Sequence, residues 1–80
     1  MKINVQVFAA LKDYFTPQFT IELIDGTTVG DVYRLLTAEY PEAVSILAKC
    51  KPAVNDCFVD KAYVLSNDEH LLIIPPSSGG

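Results

Sequence analysis

Leu71-Leu72-Ile73-Ile74-Pro75-Pro76 is the stretch on which the architecture turns. Four consecutive aliphatic residues give any strand they form an apolar side chain on both faces, and such a strand belongs inside a sheet, not at its edge. Pro75 and Pro76 stop it, because neither has an N–H to give to a ladder. Toward the other terminus, Ile3, Val5 and Val7 alternate with Asn4 and Gln6 in the period-two pattern of a half-buried strand. Phe19, Ile21 and Leu23 repeat that pattern against Gln18, Thr20 and Glu22. The chain therefore opens with two strands and closes on a central one.

The segments between them set the class. Ala9 to Phe15 can form a short helix, which Pro17 ends by disfavouring helical geometry before it. Asp25-Gly26 is a turn signal, and Thr28 with Asp31 three residues later resembles a capping box, so a helix begins near Val29. Val29, Val32, Leu36 and Tyr40 then form one apolar stripe at helical spacing, closed by Pro41. Glu42 to Lys51 reads as a second short helical stretch ended by Pro52. After it come short β-like pieces at Ala53-Val54, Cys57-Phe58-Val59 and Tyr63-Val64-Leu65, separated by turn formers. This order describes an α+β domain in which one main helix packs across a mixed sheet. A β-grasp arrangement fits it best, with the first and last strands parallel and adjacent in the middle. The domain spans residues 1–74, and 75–80 form a carboxyl-terminal tail.

Eighty residues, about half of the ~150 of a typical domain, leave room for one small unit. Half the residues are apolar and a fifth are charged, which excludes a disordered chain. Ten acidic and six scattered basic residues give a net charge of −4, so nucleic acid is disfavoured as a partner. Two cysteines in a C-x6-C spacing supply neither a disulfide scaffold nor a zinc site. No apolar run approaches the ~18 residues that a membrane helix needs. Asn4, Gln6, Lys12 and Asp13 break up any signal-peptide core, so a cytoplasmic location is expected.

The chemistry gathers at the end. Pro75-Pro76-Ser77-Ser78-Gly79-Gly80 runs straight out of the central strand to a free carboxylate. The prolines favour an extended exit, and glycines without a Cβ can enter a channel too narrow for side chains. Six extended residues reach at most about 20 Å, enough to bring Gly80 into another protein's active site. A carboxylate becomes an electrophile once activated, for example as an acyl-adenylate, and a terminal glycine does not hinder attack on its carbonyl. Ser-Ser-Gly-Gly is also ordinary linker composition; the diproline and the preceding strand argue for a functional end.

Four pieces in order now resemble a known family. They are Phe8-Ala9-Ala10-Leu11-Lys12-Asp13 after the first strand, Ala53-Val54-Asn55, the acidic turn Asn67-Asp68-Glu69, and the Pro-Pro-x-x-Gly-Gly ending. Together they resemble the small subunit of molybdopterin synthase, a MoaD-like, ubiquitin-like sulfur carrier. Two departures stand out: Ser66-Asn67 replaces the family's usual Asp-Gly, with Asn67 suited to a left-handed backbone, and Ser77 stands where Val is common. The resemblance implies that Gly80 is adenylated by an ATP-dependent, MoeB-like activating enzyme and converted to a thiocarboxylate. The tail, Pro75, Pro76, Ser77, Ser78 and Gly79, would then enter the active site of a MoaE-like large subunit. There the sulfur passes to a cyclic pyranopterin monophosphate precursor of molybdenum cofactor, in a heterotetramer built on a dimer of large subunits. On this reading the chain binds no cofactor or metal of its own and donates sulfur, while the large subunit completes the sulfurtransferase.

The residues add a docking surface. One helical layer covers one face of the sheet, yet the last strand is apolar on both, and Phe8 points opposite to Ile3, Val5 and Val7. Phe8 and one alternate pair of the last strand, Leu72 with Ile74 or Leu71 with Ile73, are therefore expected to form an apolar patch beside the tail; Leu72 and Ile74 are taken as that pair. His70 has no ligand partners at a suitable spacing and is assigned no role. Cys57 reads as a small buried residue of a β piece, Asp68 and Glu69 as solvated turn residues, and Ser77 and Ser78 as spacers. The alternatives are a carrier for thiamine synthesis or tRNA thiolation, a ubiquitin-like modifier conjugated through Gly80, and an interaction module with an inert tail.

Overall fold

The computed structural model describes residues 1–76. Strand β1 (Lys2–Val7) is followed by a 3-10 turn at Ala9–Asp13, strand β2 (Gln18–Glu22) and helix α1 (Val29–Glu39). A second 3-10 turn at Pro41–Ala43 leads into the short helix α2 (Val44–Lys49), and then come β3 (Lys51–Val54), β4 (Cys57–Phe58) and β5 (His70–Ile74). The five strands form one sheet in the order β2-β1-β5-β3-β4. β1 and β5 are parallel and the other pairs are antiparallel, so the aliphatic last strand lies inside the sheet beside the first. This is the β-grasp arrangement, and the chemistry of Leu71 to Ile74 accounts for it: only an interior strand gives both of its faces a neighbour on each side.

One face of the sheet holds the core. Ile3, Val5 and Val7 of β1, Leu71 and Ile73 of β5 and Val54 of β3 are buried against Val29, Val32 and Leu36 of α1 and Leu47 of α2. Helix α1 starts where the capping box requires: Asp31 N–H donates to the Thr28 hydroxyl and Thr28 N–H donates to the Asp31 carboxylate. The two preceding amides are also satisfied, Val29 N–H by Tyr63 O at 3.0 Å and Gly30 N–H by Lys61 O at 2.9 Å. A Cβ on Gly30 would sit 3.2 Å from that Lys61 carbonyl, so glycine lets the loop close on the helix start.

That loop corrects the sequence reading of Tyr63-Val64-Leu65 as a β piece. The segment makes one bridge, Val64 to Thr28, because its backbone serves the end of α1 and not the sheet. Pro52 does not end a helix but lies within β3, opposite Ile73. Its carbonyl accepts from Val59 N–H at 3.1 Å, so its nitrogen faces Val59 and has no proton to return, and the ladder between β3 and β4 ends at Phe58. The short helix expected over Ala9 to Phe15 is a 3-10 helix that spans Ala9–Asp13, with Ala9 at φ 53. Tyr40 leaves the helical stripe as the residue after α1 and packs its ring edge on Phe15, with centroids 5.2 Å apart.

Candidate functional site

Among the described residues, no helix lies on the opposite face of the sheet. Strand alternation sends Asn4 and Gln6 of β1 to this face, and Phe8, still extended at φ −134 and ψ 162, continues the series. The registers set His70, Leu72 and Ile74 of β5 beside them, and Lys51 and Ala53 of β3 beyond, opposite Ile74 and Leu72. Phe58 of β4 lies opposite Ala53. The face divides into a polar part around Asn4, Thr20 and His70 and an apolar part made by Phe8, Leu72, Ile74, Ala53 and Phe58. The apolar part lies at the end of β5 from which the chain leaves as Pro75, half-buried, and Pro76, exposed.

The structure therefore brings Phe8, Leu72 and Ile74 to one uncovered face at the root of the tail, each partly exposed. Ser77, Ser78, Gly79 and Gly80 lie outside the described residues. Phe58 was not legible as part of this patch. It is 68% exposed, and its face is set by the hairpin turn Asn55-Asp56, in which both residues have positive φ, 51 and 67. The Asn-Asp pair between two β pieces was the available signal, since a two-residue turn of that type fixes the register across it. Ala53 is buried although it is on the open face, because Phe58 and Leu72 stand on either side of so small a side chain.

Other assignments change. Cys57 is exposed, not buried, since it stands on edge strand β4; Cys50 is the buried thiol, and burial pushes its pKa up. The left-handed residue of the acidic turn is Asp68, at φ 67, and not Asn67. Asn67 uses its side chain instead, accepting Lys2 N–H at 2.8 Å and tying the turn to β1. Glu69 is not merely solvated: its carboxylate accepts from Ser66 N–H at 2.6 Å, Tyr63 O–H at 2.7 Å and Asn55 Nδ2 at 3.3 Å. The hydrogen bond to that carboxylate, with some burial, holds the Tyr63 phenol above its usual pKa. Glu69 thus ties its own loop together and joins it to the β3–β4 turn immediately before β5, which fixes where the central strand begins. His70 is exposed on the open face at the start of β5.

Residues 5–80 of the sequence match the ThiS family. The chain belongs to that family. Members share a ubiquitin-like β-grasp, and this ThiS-family chain is similar over its whole length to the molybdopterin synthase sulfur carrier subunit of Mycobacterium tuberculosis, at 29% identity and with 99% of that protein covered. Among solved structures it resembles SAMP1 from Haloferax volcanii, with a TM-score of 0.84, 19% identity and full coverage of both chains. It also resembles a chain in the complex of subunits 1 and 2 of molybdopterin-converting factor from Helicobacter pylori, with a TM-score of 0.73, 23% identity and full coverage of both chains. The ThiS-family chain is thus a member of the ubiquitin-like sulfur carriers that its four motifs resemble.

Proposed function

We propose that this protein is the sulfur-donating small subunit of a molybdopterin synthase. An ATP-dependent activating enzyme joins the Gly80 carboxylate to AMP with release of pyrophosphate. A sulfur nucleophile displaces AMP, and the end becomes a thiocarboxylate. The apolar patch formed by Phe8, Leu72, Ile74 and Phe58 docks on the large subunit, and Pro75 to Gly79 carry the thiocarboxylate into its active site. There sulfur passes to cyclic pyranopterin monophosphate, and the regenerated Gly80 carboxylate returns for recharging. The assembly is a heterotetramer on a dimer of large subunits, working in the cytoplasm.

One observation carries this reading. The end of β5 is both the margin of an apolar patch that the other described residues leave uncovered and the root of the Pro-Pro-Ser-Ser-Gly-Gly end. A partner that grips the patch receives the tail from a fixed point, so the reach of the last six residues is used in one direction. The full-length likeness to a protein named as a molybdopterin synthase sulfur carrier subunit supports the choice of acceptor.

The test is the intact mass of untagged protein after incubation with ATP, a sulfur source and a pterin-pathway activating enzyme. A gain equal to replacing one oxygen by sulfur, absent when Gly80 is deleted, is the expected result. An unchanged mass, with the same enzyme active on another carrier, overturns it. Transfer of the sulfur to the pterin precursor in the presence of large subunit separates this pathway from thiamine synthesis and tRNA thiolation.

A further inference from the structure

A second uncovered surface lies on the other side of the sheet. β2 is an edge strand. Met1 and Leu23 exchange hydrogen bonds, Met1 N to Leu23 O at 2.6 Å and Leu23 N to Met1 O at 2.8 Å, and the register makes Ile3 with Ile21 and Val5 with Phe19 the next bonded pairs. The backbone N–H and C=O groups of Thr20 and Glu22 therefore point away from the sheet, with no partner among the described residues. Beside this edge runs a groove of about 580 Å³, lined by Phe19 and Ile21 of β2 and by Leu35, Leu36 and Tyr40 from the helix side. Leu35 is 52% exposed, and Ile24, at 82%, shares the adjoining hollow with it. Glu22 and Glu39 also line the groove, whereas no lysine or arginine does.

We propose that an extended segment of a partner protein adds to β2 as a further strand, with aliphatic side chains at alternate positions in the groove and lysine or arginine flanking them. The outward amides and carbonyls of Thr20 and Glu22 supply the ladder. Residues of the incoming strand opposite Phe19 and Ile21 point into the groove, spaced by about 7 Å, twice the rise per residue. Glu39 on the rim, in a chain of net charge −4, selects basic flanks. A second copy of this chain fits poorly: its own β2, Gln18-Phe19-Thr20-Ile21-Glu22, brings another carboxylate and no cation. Phe19 and Ile21 face the helix side, opposite to Leu72 and Ile74, so this groove and the tail-bearing face can be occupied together.

The experiment titrates full-length 15N-labelled protein with a capped peptide whose core alternates valine or isoleucine with threonine and ends in a pair of lysines on each side. The expected result is amide shift changes confined to Phe19 to Leu23 and Leu35 to Tyr40. Affinity should fall about tenfold in Leu35→Asp, which removes the groove's apolar wall. Thr20→Pro deletes an outward donor and should weaken binding without unfolding an edge strand, and a glutamate-flanked peptide should bind about tenfold less tightly than the lysine-flanked one. Shifts on the Leu72 and Ile74 face overturn the proposal, as do equal affinities for the two peptides. Absence of any shift at about 1 mM peptide overturns it too, and so does self-association through β2 in the free protein. None of these outcomes depends on sulfur transfer to Gly80.

Discussion

Leu71 and Ile73 are wholly buried under α1, whereas Leu72 and Ile74, each one residue further along β5, stay partly open on the other face. The side chains are of the same kind and the backbone is the same strand. What differs is the layer above: helices cover one face and nothing among the described residues covers the other. Full burial of an aliphatic side chain gains about 1.5 to 3 kcal/mol, and partial burial gains only a fraction of it. The core face is therefore explained by folding, and the open face calls for a partner.

The sharpest way to break this comparison is to truncate each face in turn. Ile73→Ala should destabilise the domain by about 2 to 5 kcal/mol in denaturant unfolding, while Ile74→Ala should cost under about 1 kcal/mol. Equal losses would mean that both faces are core. The reverse ordering is expected for association: Phe58→Asp or Leu72→Asp should weaken binding to a molybdopterin synthase large subunit at least about tenfold, near 1.4 kcal/mol, with the unfolding midpoint little changed. Unaltered affinity in both variants would remove the open face from the docking surface.

Smaller effects should stay on the core side. Thr28→Ala deletes the cap of α1, the element that covers Leu71 and Ile73, and should cost about 1 kcal/mol of stability without altering docking. Acid should act on the same point. Hydrogen bonds from Thr28, its backbone N–H foremost, hold the Asp31 carboxyl below its ordinary value of 3.8, with Arg34 adding to the effect. A carboxylate with a depressed folded pKa contributes its full stabilisation above that ordinary value and loses it as pH falls through the folded one. Stability should therefore decline below pH 3.8, and Asp31→Asn should flatten that decline in thermal unfolding.

The comparison also explains what could be read in advance. Alternation in β1, the doubly apolar β5 and the Thr28–Asp31 box are local signals, carried by neighbours in sequence, and each was legible. Phe8 was legible as a member of the patch, but counting alone leaves open whether Leu72 with Ile74 or Leu71 with Ile73 joins it, and the register of β5 on β1 decides. Tyr63-Val64-Leu65 was misread because its backbone is claimed by the amides of Val29 and Leu65's contact with Thr27, which no local pattern announces. Pro52 was misread for the related reason that its place in β3 is set by pairing with Ile73, far along the chain. Phe58 joins the patch through a register set by one turn, and Glu69 ties its own loop to the β3–β4 turn through Asn55. Contacts made across the fold were the hidden part, in the site as in the core.

The parallel pairing of β1 with β5 has a mechanical consequence. Met1 leaves the sheet at one end of this pair and Pro75 at the other. Tension between an anchored amino-terminal region and a gripped tail pulls the two strands along their length in opposite directions. The bonds between them are loaded together in shear, and not peeled apart one by one from an end. Under the proposed function, in which other proteins seize and modify the carboxyl terminus, the pull on that terminus would be borne by a pairing loaded in shear.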